Sequence, residues 1–128
     1  MATYKHVFIA HRWDYSNDYD NISACLNRTK YNISDYSDPK SDPLTSKGNY
    51  LTRSIRNQIN RSSVLLVSNR PATGYSDWVK TEVEYALSIG TPVIAVKCTD
   101  STASWIQSYR IPVVSCRRDS IENAIDAL

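Results

Sequence analysis

Short apolar runs alternate along this chain with longer segments whose apolar residues recur at helical spacing. Apolar or extended runs of strand length lie at residues 5–10, 31–36, 63–68, 92–97 and 111–115. Between them, the spacing predicts helices from Asn17 or Asp18 through Leu26, and at residues 50–60, 75–87, 101–109 and 119–128. Strands that are almost continuously Val, Ile and Leu are typical of a parallel sheet whose two faces are both covered.

The pattern therefore predicts one domain, residues 1–128, with a doubly wound, flavodoxin-like α/β fold. Its sheet should have five parallel strands in the order 2-1-3-4-5, and the run at 31–36 is weak enough to be an edge strand. Residues 37–48 contain two Asp-Pro pairs and no periodicity, so they are predicted to form a long loop. A lid over a site and a merely tolerated surface loop fit that length equally well.

In this fold, ligands bind at the carboxyl ends of the first and third strands, where the winding reverses. The topology brings a polar and aromatic set to this edge, and we take it as the candidate site. Its members are His11, Trp13, Asp14 and Tyr15 after the first strand, Asn69 after the third, and Trp78 and Glu82 on the next helix.

Glu82 has an unusual position on its predicted helix. At about 100° per residue, Val79, Val83, Ala86 and Leu87 share the core side, and Glu82 lies at the edge of that stripe beside Ala86. One interpretation is a boundary glutamate whose carboxylate stays in water. The other is a carboxylate held in a cleft and tuned for chemistry. Glu84 falls on the far side, and its loss is predicted to cost little.

Composition narrows the function classes. The charged fraction is 22% with a net charge of +2, and no basic run with interleaved aromatics is present, so nucleic acid is not an expected partner. Three cysteines without CxxC spacing (Cys25, Cys98 and Cys116) predict reduced, buried thiols with no disulfide framework and no metal site. The absence of a signal peptide or long apolar span predicts a cytoplasmic protein without a membrane contact.

The sequence lacks the residues that several activities found on this fold require. The third strand ends in Ser68-Asn69, not in a phosphate-accepting Asp, and none of the three glycines stands in a phosphate-binding motif. A nucleophile elbow is also missing. A glutamate in an aromatic, polar cleft suits cleavage of a nucleoside-type glycosidic bond, because a fixed carboxylate stabilises an oxocarbenium-like state. His11 fits a structural role equally well.

Residues 6–19 (HVFIAHRWDYSNDY) and residues 76–82 (SDWVKTE) form two distinctive motifs. The first resembles the opening of the TIR-like domain family of Thoeris anti-phage defence ThsB proteins, and the second resembles the TIR signature in which a tryptophan precedes the catalytic glutamate by four residues. The segments 38–43 and 90–94 are similar to its loop after the second strand and its next strand. The likeness extends over essentially the whole chain.

The resemblance implies an enzyme that takes NAD as substrate, without a further cofactor, releases nicotinamide and makes an ADP-ribose-derived signal for a downstream effector. It implies Glu82 as the catalytic residue, with the other site residues lining the cleft and homo-oligomers as a possible assembly. Ala10 and Arg12 stand where the family commonly has Ser, so hydroxyl contacts to substrate are lost there. A non-catalytic interaction module and a nucleoside or nucleotide N-glycosidase stay open as alternatives.

Overall fold

Strands and helices alternate along the chain. The computed structural model describes residues 6–10, 16–33, 53–69 and 77–128. The strands are β1 (His6–Ala10), β2 (Asn32–Ile33), β3 (Val64–Ser68), β4 (Val93–Lys97) and β5 (Val113–Ser115). The helices are α1 (Ser16–Leu26), α2 (Arg53–Arg61), α3 (Asp77–Ser88), α4 (Ser104–Ser108) and α5 (Arg118–Asp126).

The strands form one sheet in the order β2-β1-β3-β4-β5, and all neighbouring pairs are parallel. Ala10 at the end of β1 is in register with Val67, and Ser68 at the end of β3 is in register with Val96. The carboxyl ends of the central strands therefore lie side by side on one edge. The predicted α/β fold with a parallel sheet is confirmed.

Successive strand residues belong to two separate cores, as the pleat requires. We call them the α3-side cluster and the α1-side cluster. The α3-side cluster joins alternate residues of β1, β3 and β4 to α2, α3 and α4 through Phe8, Ala10, Leu65, Val67, Val93, Ala95, Ile59, Val83, Ala86 and Ile106. The α1-side cluster joins the other strand residues to α1 and α5 through Val7, Ile9, Val64, Leu66, Ile94, Val96, Ile22, Leu26, Ile121 and Ile125.

Helix α3 ends at Ser88, and Gly90 follows it in the turn to β4. The Gly90 backbone has a φ of 82°, a left-handed conformation that glycine adopts without steric cost. The Thr91 N–H donates to the Ala86 carbonyl at 2.9 Å, and the Gly90 N–H donates to the Leu87 carbonyl at 3.2 Å. These two bonds form a Schellman motif, which satisfies the last carbonyls of the helix and turns the chain into β4.

Among the elements whose bounds are described in full, two begin two or three residues later than predicted. The last strand begins at Val113 and not at Ile111, because the Ile111 N–H donates to the Ile106 carbonyl and Pro112 has no N–H to contribute to the ladder. Helix α4 begins at Ser104 and not at Ser101, because the Ala103 N–H is already bonded to the Asn69 carbonyl. The predicted loop 37–48 lies outside the described residues.

We expect the stability of the fold to depend on the α1-side cluster. Replacing the fully buried Leu66 by alanine should lower the free energy of unfolding by about 2–5 kcal/mol, since it leaves a cavity beneath α1 and α5. Leu87 was predicted on the core side of α3 but is 39% exposed, because the buried face of the helix is shifted toward Ala86 and Glu82. It is a matched control, and Leu87→Ala should cost less than about 1 kcal/mol. Urea denaturation of both variants measures the difference, and equal costs would contradict the assignment of the core.

Candidate functional site

Helix α3 packs on the face of the sheet to which the last residues of the two central strands contribute. Val83 and Ala86 on its inner side are fully buried in the same cluster as Ala10 and Val67. Ala10 is the last residue of β1, and Val67 is its register partner near the end of β3. The inner side of α3 thus shares one core with the residues at the ends of β1 and β3.

Glu82 lies on that inner side and is only 3% exposed. It precedes the buried Val83 in the chain and lies one turn before the buried Ala86. The interpretation of Glu82 as a boundary residue with its carboxylate in water is therefore wrong. Burial makes a carboxyl group responsive to its neighbours, which is how proteins tune such groups for chemistry.

The other predicted site residues are described to different extents. Trp78 lies on α3 four residues before Glu82, so its Cα is about one turn earlier on the helix. His11 follows directly from Ala10, but His11, Trp13, Asp14 and Tyr15 lie outside the described residues. Their contribution to substrate binding, like that of the Trp78 side chain, stays a prediction.

Asn69 is fully buried immediately after β3. Its side-chain amide donates to the Thr99 carbonyl and to the Thr102 hydroxyl, each at 3.0 Å. Its side-chain oxygen accepts from the Cys98 N–H at 2.8 Å and from the Thr99 N–H at 3.1 Å. These bonds use both donors and both acceptor positions of the carboxamide.

Asn69 therefore positions the connection between β4 and α4. A substrate contact through its carboxamide, as the sequence analysis predicts, would have to replace one of these four bonds. The connection itself (Cys98 to Thr102) was not singled out from the sequence, although it directly follows a strand that ends on the same edge as β1 and β3. An Asn directly after a buried strand is the signal that suggests such a role, since its amide suits capture of main-chain groups.

Glu84 lies on the opposite side of α3 and is exposed. Its carboxylate accepts a hydrogen bond from the Tyr109 hydroxyl, which follows α4. This bond raises the pKa of Tyr109 above its ordinary value, with smaller contributions from burial and from the negative charge of Glu84. Two glutamates on one helix thus differ sharply in environment, and Glu84 provides a control for Glu82.

Neither a metal site nor a membrane span is found in the described ranges. No group of three or more His, Cys, Asp and Glu side chains in those ranges is arranged to hold a metal ion. Within the same ranges, no helix is long and apolar enough to cross a bilayer.

Comparison with protein families identifies this architecture. Residues 8–103, three quarters of the chain, match the family described as Thoeris protein ThsB, TIR-like domain. The chain belongs to this family. The matched part of this TIR-like domain runs from β1 to the residue before α4 and includes Asn69 and Glu82.

A solved structure also shares the fold of this TIR-like domain. The CMP N-glycosidase BcmB of Clostridium botulinum aligns with a TM-score of 0.56 at 14% sequence identity, over 96% of this chain and 98% of the other. At that identity, the likeness supports the fold alone. A comparison with curated proteins found no match.

The hydrogen bonds of Asn69 lead to a test of its positioning role. Asn69→Ala should lower the free energy of unfolding by about 2–4 kcal/mol, because it leaves buried polar groups of the β4–α4 connection without their partner. Thr102→Val removes one of the four bonds and should cost about 1 kcal/mol. Hydrogen exchange should accelerate at the Cys98 and Thr99 amides in Asn69→Ala, and unchanged exchange there would contradict the role.

The bond between Tyr109 and Glu84 leads to a pH test. Because the folded-state pKa of Tyr109 is raised, the stabilisation from this pair is present below the ordinary tyrosine pKa and is lost as the pH rises through the raised value. Glu84→Gln should move the pKa of Tyr109 back toward its ordinary value, because the charge and the strong acceptor are removed.

NMR titration of the tyrosine ring carbons measures this shift, and a Tyr109→Phe sample assigns the signal. A Tyr109 signal that titrates identically in wild type and Glu84→Gln would mean that the contact between α3 and the end of α4 does not form in solution.

Proposed function

We propose that this TIR-like domain cleaves the N-glycosidic bond of a nucleotide, that NAD is its substrate, and that Glu82 is the catalytic carboxylate. The observation that carries the proposal is the burial of Glu82 on the side of α3 that shares a core with the ends of β1 and β3. In a doubly wound fold this edge is where ligands bind. Membership of the family of TIR-like Thoeris domains supports a nucleotide as the class of substrate.

The chemistry suits a single fixed carboxylate. Cleavage between an anomeric carbon and a nitrogen base passes through an oxocarbenium-like state with positive charge on the sugar. A carboxylate held by a buried helix needs no reorganisation when that charge develops, so it stabilises the transition state more than the ground state. Glu82 acts there directly on the sugar or by holding the ribose hydroxyls.

The nicotinamide of NAD is already cationic, so it departs as a neutral base without a strong general acid. This removes the need for a second carboxylate beside Glu82. In the proposal, Trp13, Tyr15 and Trp78 provide aromatic surfaces for the bases, and His11 and Asp14 provide hydrogen bonds. Asn69 takes part by holding the β4–α4 connection next to the same edge.

The ADP-ribosyl cation then reacts with water, giving ADP-ribose, or with an internal base, giving a cyclic nucleotide. The second outcome requires exclusion of water from the intermediate. We propose that the product is the signal that a downstream effector senses in antiviral defence, and that homo-oligomers are a possible active assembly.

Ala10 has a consequence for substrate contacts in this proposal. Its side chain is buried in the α3-side cluster at the end of β1, where the family commonly has Ser. The methyl group contributes packing against α3 but no hydrogen bond. We therefore expect polar contacts to the nucleotide on this side of the site to come from other positions.

A second candidate is hydrolysis of a nucleoside or nucleotide other than NAD. The shared fold with a CMP N-glycosidase favours including it, since both reactions break a bond between ribose and a nitrogen base. In CMP the leaving group is neutral before cleavage, so this reaction needs more assistance to the departing base than NAD does. The third alternative, an interaction module with Glu82 as a surface cap, is not supported by the burial of Glu82.

The test combines a substrate panel with two matched variants. Wild type, Glu82→Gln and Glu84→Gln are incubated with NAD or CMP, and all products are identified by mass. We expect nicotinamide release from NAD by wild type, a loss of about 100-fold or more in Glu82→Gln, and a rate within about twofold of wild type in Glu84→Gln.

Both substitutions keep the side-chain volume and remove one potential charge, so they separate a buried role from an exposed one. Urea denaturation of each variant checks that the loss in Glu82→Gln is not a loss of folding. Release of cytosine from CMP without turnover of NAD would support the second candidate. A Glu82→Gln variant as active as wild type would rule out Glu82 as the catalytic residue.

A further inference from the structure

A second cleft opens on the face of the sheet opposite α3. Its volume is about 380 Å³, and it lies between α1 and the ends of β4 and β5. All three cysteines of the chain line this cleft, although they are far apart in the sequence. The complete lining is Asn21, Ala24, Cys25, Arg28, Lys97, Cys98 and Cys116.

Two of the three sulfur atoms are in contact. The Cys25 Sγ lies 3.8 Å from the Cys116 Sγ, and the Cys25 thiol donates to the Cys116 carbonyl at 3.3 Å. None of the three cysteines, all within the described residues, forms a disulfide, and each is half-buried. The prediction of buried thiols is therefore wrong in their degree of burial, because these side chains lie at the rim of the α1-side cluster and not inside it.

The elements that carry Cys25 and Cys116 are held together independently of the sulfur atoms. The hydroxyl of Tyr31 donates to the Asp126 carboxylate, and Lys30 makes an ion pair with the same carboxylate at 3.1 Å. The Lys30 N–H also donates to the Glu122 carboxylate at 3.1 Å. These bonds join the segment after α1 to α5, which starts two residues after Cys116.

The sulfur atoms are thus kept near each other by the fold. A disulfide requires a sulfur–sulfur distance of about 2.05 Å, so closure needs an approach of about 1.7 Å. Rotation about the side-chain bonds of two half-buried cysteines can provide much of that movement without separating the helices. The cleft is also roomy for a small oxidant, because a water molecule occupies only about 30 Å³ in the liquid.

We propose that Cys25 and Cys116 form an oxidative modification site, in which a hydroperoxide converts the dithiol to an intramolecular disulfide. One thiolate attacks a peroxide oxygen, the O–O bond breaks, and a sulfenic acid and water (or an alcohol) form. The second thiolate then attacks the sulfenic sulfur, the S–S bond forms and the second water leaves. In total, two thiols lose two electrons and two protons, and the peroxide is reduced.

The product links α1 to the segment between β5 and α5 at the rim of the α1-side cluster. Cys98 is not part of the bond, and it provides the internal control because it lines the same cleft. This proposal is independent of the proposed NAD chemistry, since it concerns the other face of the sheet and is measured without any nucleotide.

The test uses the whole chain treated with hydrogen peroxide and then with an alkylating reagent under denaturing conditions. We expect the number of alkylated thiols to fall from three to one in wild type. Intact mass should show a monomer lighter by two hydrogens before alkylation, and proteolysis without reductant should yield a peptide pair joined at Cys25 and Cys116. Treatment with dithiothreitol should restore three thiols.

Serine variants test the assignment of the pair. Cys98→Ser should still lose two thiols on oxidation, whereas Cys25→Ser and Cys116→Ser should yield no intramolecular disulfide. Wild-type protein that keeps three alkylated thiols, forms a bond through Cys98, or forms only disulfide-linked dimers would overturn the proposal. Peptide mapping of wild type decides this even if a variant folds poorly.

Discussion

Burial of both faces of the parallel sheet is the constraint on which the rest of this structure depends. Each residue from Val7 to Ala10 and from Val64 to Val67 is buried, and neighbours in the chain contribute to opposite cores. Parallel strands cannot be joined by tight turns, so helices must cross over on both sides. The crossovers leave the carboxyl ends of the strands as the edge where connections meet and side chains of different elements come together.

The two faces of the sheet have acquired different chemistry. On one face, α3 buries Glu82 in the same helix as Val83 and Ala86, which share a core with the last residues of β1 and β3. On the other face, α1 and the ends of β4 and β5 bring three cysteines to one cleft. The Cys98 main chain connects the two regions, because its N–H is bonded to Asn69 directly after β3. A short run of hydrogen bonds therefore links the cysteine-lined cleft to the edge of the sheet that carries the candidate site.

The spacing of apolar residues was enough to predict those features of the fold that depend on residues close together in the chain. Apolar runs indicated the α/β fold with its parallel sheet, and helical periodicity indicated that Glu82 does not share the exposed face of Glu84. One error lies where a main-chain group is used by a distant partner, because α4 starts late where the Ala103 N–H donates to the Asn69 carbonyl. The bonds of Asn69 span about 30 residues, and the sulfur contact spans 91, so no spacing rule in the sequence predicts them.

The hydrogen bonds of Asn69 also affect which positions of the chain tolerate substitution during evolution. Three of the four go to main-chain atoms of Cys98 and Thr99, which every non-proline residue provides. The Cys98 side chain takes no part in these three bonds, whereas the Thr99 hydroxyl donates to the Ser101 carbonyl and accepts from the Ser101 N–H, each at 3.0 Å, within the same connection. Position 69 tolerates few substitutions, because few side chains combine two donors with an acceptor at that length. The backbone path of this connection therefore depends on two polar side chains, the Asn69 carboxamide and the Thr99 hydroxyl.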